Sequence, residues 1–164
     1  MTTLESTLRR IVVSRGAEIV VEIVVEYGPV AERTGHRLVA AVGPELPCVV
    51  ADRALLKRVL VNLVMNALRH SGSTEVRVEA THDPVTALVR LRVIDHGRGI
   101  AEDDQERVFD RFASIRRSGD SEPSSDMGLG LPFCKLATDC MGGKIALSSR
   151  PDIGTVFTVI LPSQ

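Results

Sequence analysis

Two hydrophobic periods alternate along this chain. Between residues 17 and 35, Glu18, Glu22 and Glu26 recur every four positions while Ile19, Ile23, Val24 and Val30 fall on another face. That spacing predicts a helix despite the many β-branched residues. From Arg53 to His70 the stripe is stronger: Leu56, Val59, Leu60, Leu63, Val64 and Ala67 share one side, Asp52 stands at the N-cap position, and Ser71-Gly72 closes the segment. Period two takes over in Thr74 to Ala80 and again in Thr86 to Asp95, where Val89, Leu91 and Val93 share a face. The two runs predict an antiparallel pair. Shorter strands are expected at Arg37 to Val42 and Cys48 to Val50, separated by Pro44 and Pro47. Beyond Asp95 the pattern predicts a short acidic helix over Ala101 to Val108 and an aperiodic Ser, Arg and Gly stretch over Ser114 to Ser125, read as a mobile loop. A helix follows over Leu131 to Met141, with Pro132 in its first turn and Gly142-Gly143 after its end. Lys144 to Ser149 and Thr155 to Leu161 then form a terminal hairpin around Pro151 to Gly154.

Composition narrows the classes. A length of 164 residues suits one domain with a single core. Hydrophobic residues at 44% and charged residues at 25% describe a globular chain, and aromatic residues at 3% leave few platforms for stacking single-stranded nucleic acid. The net charge of −1 adds nothing for a nucleic-acid or membrane partner, so neither is expected. Cys48, Cys134 and Cys140 form no C-x-x-C pair and are odd in number, which points away from a disulfide framework or a zinc site and toward a cytoplasmic location. The run Ile19 to Val25 is broken by Glu22 and is too short to span a bilayer. Met1 is followed by what reads as mid-domain sequence, so the chain is expected to be a piece of a longer protein, which could itself be anchored in a membrane.

Three polar constellations interrupt the apolar pattern. Asn62, Asn66 and Arg69 fall at helical spacing on one face at the margin of the stripe. An amide oxygen is a hard ligand suited to Mg²⁺ and an arginine meets phosphate oxygens, although each asparagine could equally bond a nearby backbone group. Asp95 continues the inward phase of Val89, Leu91 and Val93, so its carboxylate should point toward the core, and Gly97 and Gly99 follow it in Asp95-His96-Gly97-Arg98-Gly99-Ile100. Those glycines would let a flat ligand approach the backbone while the carboxylate accepts from an exocyclic amine; a solvated turn is the plainer alternative. Asp126-Met127-Gly128-Leu129-Gly130-Leu131 opens a helix, where exposed amides and a positive dipole end can cradle phosphate. The dinucleotide fingerprint and the P-loop are both absent.

These segments, together with Val-Phe-Asp-Arg-Phe from Val108 and the tail Gly-Gly-Lys-Ile to Ile-Leu-Pro, stand in one order that resembles the catalytic, ATP-binding domain of sensor histidine kinases. The resemblance runs from about Ile11 to Pro162. It implies an α+β two-layer sandwich of the Bergerat type, a mixed, mostly antiparallel sheet of about five strands packed on three helices, with ATP held under a flexible lid. It further implies that Asn66 binds Mg²⁺, that Arg69 and His70 stand near the phosphates, and that Asn62 lines the same wall. Asp95 would bond the adenine amine, supported by Gly97, Gly99, Ile100 and, through water, Thr155. Phe109, Arg111 and Phe112 match the box at the start of the lid, and Gly128, Leu129, Gly130 and Leu131 match the second glycine box. Asp126 stands where the family usually has a glycine, which is expected to weaken nucleotide use through like-charge repulsion.

Related ATPases carry a glutamate, their general base for water, where this sequence has Asn62. An amide cannot take that proton, so phosphoryl transfer is expected rather than hydrolysis. The resemblance implies a protein-histidine kinase acting on a separate phosphoacceptor helical domain, with a response regulator downstream. His36, His70, His82 and His96 all lie outside any helical His-Glu or His-Asp context, so this segment should not phosphorylate itself. Two other readings are a degenerate nucleotide-binding signalling module, supported only by Asp126, and an anti-sigma-factor-like serine kinase, which the phenylalanine box and terminal hairpin fit less well.

Overall fold

The computed structural model describes residues 13–113 and 129–164, so the expected mobile loop, Asp126 and Gly128 lie outside the described residues. A short strand, β1 (Val13–Arg15), leads into helix α1 (Gly16–Arg33), followed by β2 (Arg37–Val42) and β3 (Cys48–Val50). Helix α2 (Arg53–His70) begins where Asp52 Oδ1 accepts the Leu55 N–H at 2.9 Å, an N-cap that satisfies one of the helix's unpaired amides. Strands β4 (Glu75–Asp83) and β5 (Leu88–Asp95) come next, then a single turn, α3 (Glu102–Gln105). Helix α4 (Gly130–Cys140) and strands β6 (Lys144–Arg150) and β7 (Gly154–Pro162) complete the described chain.

Five strands form one sheet in the order β2-β4-β5-β7-β6, with β1 and β3 making a separate two-stranded sheet. Only β2–β4 is parallel; every other pairing in the main sheet is antiparallel. The sheet is thus mixed and mostly antiparallel, as expected. α1, α2 and α4 pack on one of its faces. Period-two alternation sends Val76, Val78 and Ala80, then Val89, Leu91 and Val93, then Phe157, Val159 and Leu161 toward those helices, which answer with Ile19, Ile23, Leu56, Val59, Leu60 and Leu63. Burying each such aliphatic side chain stabilises the fold by about 1.5–3 kcal/mol, so the sheet-to-helix interface dominates its energetics.

Two expectations are adjusted. The acidic helix is four residues long and continues as turns, because after α3 no apolar face repeats to hold a longer helix against the sheet. β1 was not foreseen at all: three residues carry too little period to register.

The register of the sheet also builds a polar row. Val76 pairs with Asp95, Asp95 with Thr155, and Thr155 with Ser149. Directly paired residues project to the same side of a sheet, so three polar side chains stand together at one end of an otherwise apolar inner face.

Candidate functional site

Asp95 is 3% exposed and Thr155 is 1% exposed. A buried carboxylate needs donors, and Asp95 Oδ1 accepts the Gly97 N–H at 2.9 Å. That bond folds the chain back on itself after β5 and packs the glycine loop against α2. A Cβ on Gly97 would fall 2.2 Å from the His70 carbonyl oxygen, and Gly72, just past α2, has the Gly97 Cα within 3.7 Å of its own Cβ position. Gly99 adopts φ +68° with a Cβ position 2.2 Å from the Arg150 carbonyl oxygen, so at this position both the backbone conformation and the space require glycine. The loop is therefore clamped between the end of α2 and the end of β6, with Ile100 fully buried beneath it.

Asn62 and Asn66 lie half-buried at the margin of α2's apolar stripe. Asn62 Nδ2 donates to the Arg58 carbonyl at 2.8 Å, the local backbone bond that the plainer reading allowed. Its Oδ1 consequently faces α4, where a Cβ on Gly130 would lie 3.3 Å away. The Arg58 guanidinium stacks over the Phe133 ring at 4.4 Å from its centroid, a cation–π contact that ties α2 to α4. Cys134 Sγ adds a weak hydrogen bond to the Val59 carbonyl at 3.6 Å, and burial pushes this thiol up to about 12. The amino end of α4, preceded by Leu129 with no side-chain cap, thus sits over Asn62, one turn before Asn66. Arg69 is exposed and His70 half-buried at the carboxyl end of α2, and Leu131 packs against the core.

The aromatic residues of the Phe-Asp-Arg-Phe segment separate. Phe109 meets Phe157 edge to face, centroids 6.2 Å apart and planes at 74°, which anchors the segment to β7. Phe112 is 74% exposed with φ +59°. Phe109 and Arg111 line a groove of about 400 Å³ together with Leu129, Phe133 and Leu136 of the α4 region.

The loop after β5 thus abuts the carboxyl end of α2 at His70 and Gly72. Asp95, Gly97, Gly99, Ile100 and Thr155 surround the loop after β5, while Asn62, Asn66, Arg69 and His70 line the adjoining helix. Among the described residues no group of three or more His, Cys, Asp or Glu could hold a metal by itself. That donor set fits Mg²⁺ only in the manner usual for it, with one or two protein oxygens beside phosphates and water.

Sequence reading missed three residues here. Ser149 Oγ accepts the Ile100 N–H at 2.9 Å, and Gln105 Nε2 donates to the carbonyls of Ile100 and Ser149 at 3.0 and 3.2 Å. Gly154, at φ +150°, leaves room for the Asp95 carbonyl oxygen, which a Cβ would meet at 2.2 Å. Ser149 continues the inward phase of Ile145 and Leu147, and that phase was the available signal.

Comparisons with known proteins bear directly on this arrangement. Residues 51–164 match the model of the family described as histidine kinase-, DNA gyrase B-, and HSP90-like ATPase. Sensor protein KdpD of Rathayibacter rathayi is 44% identical over 123 residues, covering 75% of this chain and 13% of that protein. The adaptive-response sensory kinase SasA of Rippkaea orientalis is 33% identical over 142 residues, covering 86% of this chain and 35% of that protein. This chain thus spans well under half the length of those relatives. Among solved structures, the nucleotide-free catalytic domain of histidine kinase ThkA superposes with a TM-score of 0.77 at 26% identity, covering 92% of this chain and 95% of that one. Full-length ShkA in complex with AMPPNP gives the same TM-score and identity, covering 90% of this chain and 30% of that one. With the family model matching residues 51–164 and these relatives agreeing, the chain belongs to the histidine kinase-, DNA gyrase B- and HSP90-like ATPases, as an ATP-binding domain of the sensor histidine kinase kind.

Proposed function

We propose that this single domain holds ATP with Mg²⁺ and donates the γ-phosphoryl group to a histidine on a separate helical domain, from which a response regulator would draw it. The observation that carries the reading is the buried Asp95 carboxylate at the end of β5, turned inward beside Thr155 and backed by a loop in which Gly97 and Gly99 have no room for a side chain. A purine slid against that loop would give its exocyclic amine to Asp95, a charge-assisted bond in a water-poor site. The triphosphate would run toward Asn66, Arg69, His70 and the uncapped amino end of α4, where amide donors and the helix dipole favour negative charge.

Asn66 would supply an amide oxygen to Mg²⁺, which when bound would neutralise phosphate charge. Asn62 favours transfer over hydrolysis. Its Nδ2 is engaged with the Arg58 carbonyl, and an amide oxygen does not take a proton from water near neutral pH. Transfer breaks the bond from the γ-phosphorus to the β,γ-bridging oxygen and forms one to an imidazole nitrogen, leaving ADP. The protein's part is positioning and charge stabilisation.

The test is ATP titration with and without Mg²⁺, followed by incubation with a separate histidine-bearing helical domain. Asp95→Asn should weaken ATP about tenfold to a hundredfold, the worth of a hydrogen bond to a charged group. Asn66→Ala should keep nucleotide binding and lose its dependence on the metal. Undiminished binding by Asp95→Asn would refute the site, and binding without transfer would leave a nucleotide-sensing module in place of a kinase.

A further inference from the structure

Three hydrogen bonds converge on the Ser149 hydroxyl at the edge of the base site. Its Oγ accepts the Ile100 N–H at 2.9 Å, lies 3.1 Å from the Gly154 carbonyl oxygen, and lies 2.9 Å from Thr155 Oγ1. A hydroxyl has one hydrogen and two lone pairs. The Gly154 carbonyl can only accept, so it takes the Ser149 hydrogen. One Ser149 lone pair takes the Ile100 N–H, and the other is left for the Thr155 hydrogen. Any other assignment leaves one of the three contacts unmade. Gln105 holds the backbone on both sides of this junction, through the carbonyls of Ile100 and Ser149, so the hydroxyl has little freedom to turn.

The consequence lies one strand away. Thr155 gives its only hydrogen to Ser149 and presents lone pairs alone to the cleft. Asp95, its register partner on β5, is an acceptor as a carboxylate. A base entering here meets two neighbouring acceptors. Adenine's exocyclic amine satisfies Asp95, while its ring nitrogen N1 reaches Thr155 only through a water that donates both ways. A purine with a carbonyl at position 6 carries a proton on N1 and has two seatings: placed as adenine is, its oxygen faces Asp95, and shifted so that N1–H meets Asp95, its oxygen faces the Thr155 lone pairs, so neither seating satisfies both groups.

We propose that Ser149 is a positioning residue that sets base specificity: by fixing the Thr155 hydroxyl as an acceptor, it makes the site reject 6-oxopurine nucleotides. This rests on the nucleotide reading above and adds a residue that does not itself touch the base.

The experiment compares ATP with inosine triphosphate, which differs at position 6 and carries a proton on N1. The wild-type protein should prefer ATP. In Ser149→Ala the freed Thr155 hydrogen can turn into the cleft and donate to the 6-oxygen, while N1–H meets Asp95. The ATP preference should then fall about tenfold, the worth of one recovered hydrogen bond. Ser149→Thr, which keeps the hydroxyl, should retain the wild-type preference. Ser149→Ala combined with Thr155→Val should also retain it, because no donor remains to be released. A merely structural role predicts equal weakening for both nucleotides in Ser149→Ala, and that result would overturn the inference while leaving the base site standing. No preference for ATP in the wild type would instead remove the nucleotide reading beneath it. Should Ser149→Ala fold poorly, Ser149→Cys preserves the volume with a weaker donor, and the same ratio decides.

Discussion

At the residue scale the glycines divide into those that open space for a ligand loop and those that do not. A methyl group on Gly97 has nowhere to go, since its position lies 2.2 Å from the His70 carbonyl oxygen and 2.8 Å from Asp95 Oδ1. Both obstacles belong to the site, one as backbone and the other as the carboxylate. Gly97→Ala should therefore weaken ATP at least about tenfold in a binding titration, because loop and helix end must separate to admit it. Gly28 is the control. Nothing outside its own stretch of α1 lies within 4 Å of its Cβ position, so Gly28→Ala should leave binding unchanged, and in a denaturant titration Pro29 beside it in the helix should hold any gain in stability below the usual glycine-to-alanine value of about 0.5–1 kcal/mol. Equal effects at the two positions would mean that the packing of the loop on α2 does not govern the site. The inward aim of Asp95 was legible from the sequence because β5 alternates cleanly up to it. Ser149 was harder to read: the phase of Ile145 and Leu147 runs on to it, but in Ser-Ser-Arg-Pro it looks like one more polar residue before a turn until its pairing with Thr155 is seen.

At the scale of elements, α1 and α2 are joined by more than their apolar stripes. Lys57 Nζ bridges Glu22 at 2.8 Å and Glu26 at 2.5 Å, and Arg53 also bonds Glu22. The Lys57 hydrogen bond is the main cause holding the Glu22 carboxyl below its usual range, with the Lys57 and Arg53 charges adding to it, while Glu22 and Glu26 push the Lys57 amine up. The sign follows for each partner. A lowered carboxyl contributes stability that is present above its unfolded value and lost as pH falls through the folded one. A raised amine contributes stability that is present below its ordinary 10.5 and lost as pH climbs past it. Glu22→Gln should thus shift the acid-unfolding midpoint, followed by circular dichroism, to higher pH at low salt, and the shift should shrink as salt screens the pair. An unmoved midpoint would show that the exposed cluster contributes nothing. The four-residue recurrence of Glu18, Glu22 and Glu26 made this helix face visible in the sequence. Its cationic partners were not visible, because they come from a helix more than thirty residues away. The same limit hid the parallel pairing of β2 with β4, since local periodicity carries no direction for a partner strand.

For the whole molecule the buried Cys134 thiol is a reporter. Its folded value of about 12 stands above the ordinary 9.0 because burial penalises the thiolate. This group therefore contributes stability that is whole below pH 9.0 and drains away toward pH 12, as the unfolded chain ionises first. At pH 8 a maleimide should modify the exposed Cys140 at least about a hundredfold faster than Cys134, which must wait for α4 to leave α2. Mass spectrometry of a timed reaction reads both rates, and comparable rates would mean that α4 detaches on its own.

The first described strand and the last residues of the chain flank the same short strand. β1 pairs with β3, Val49 bridges Ser163, and the Gln164 N–H donates to the Cys48 carbonyl at 3.0 Å. This junction adjoins the Leu88 end of β5, whereas Asp95 closes the other end, a strand length of about 20 Å away. A dye, a surface tether or a fused neighbour joined at β1 or after Gln164 would grip the described residues by the rim far from Asp95. An attachment there leaves clear the end of the sheet that carries Asp95 and Thr155.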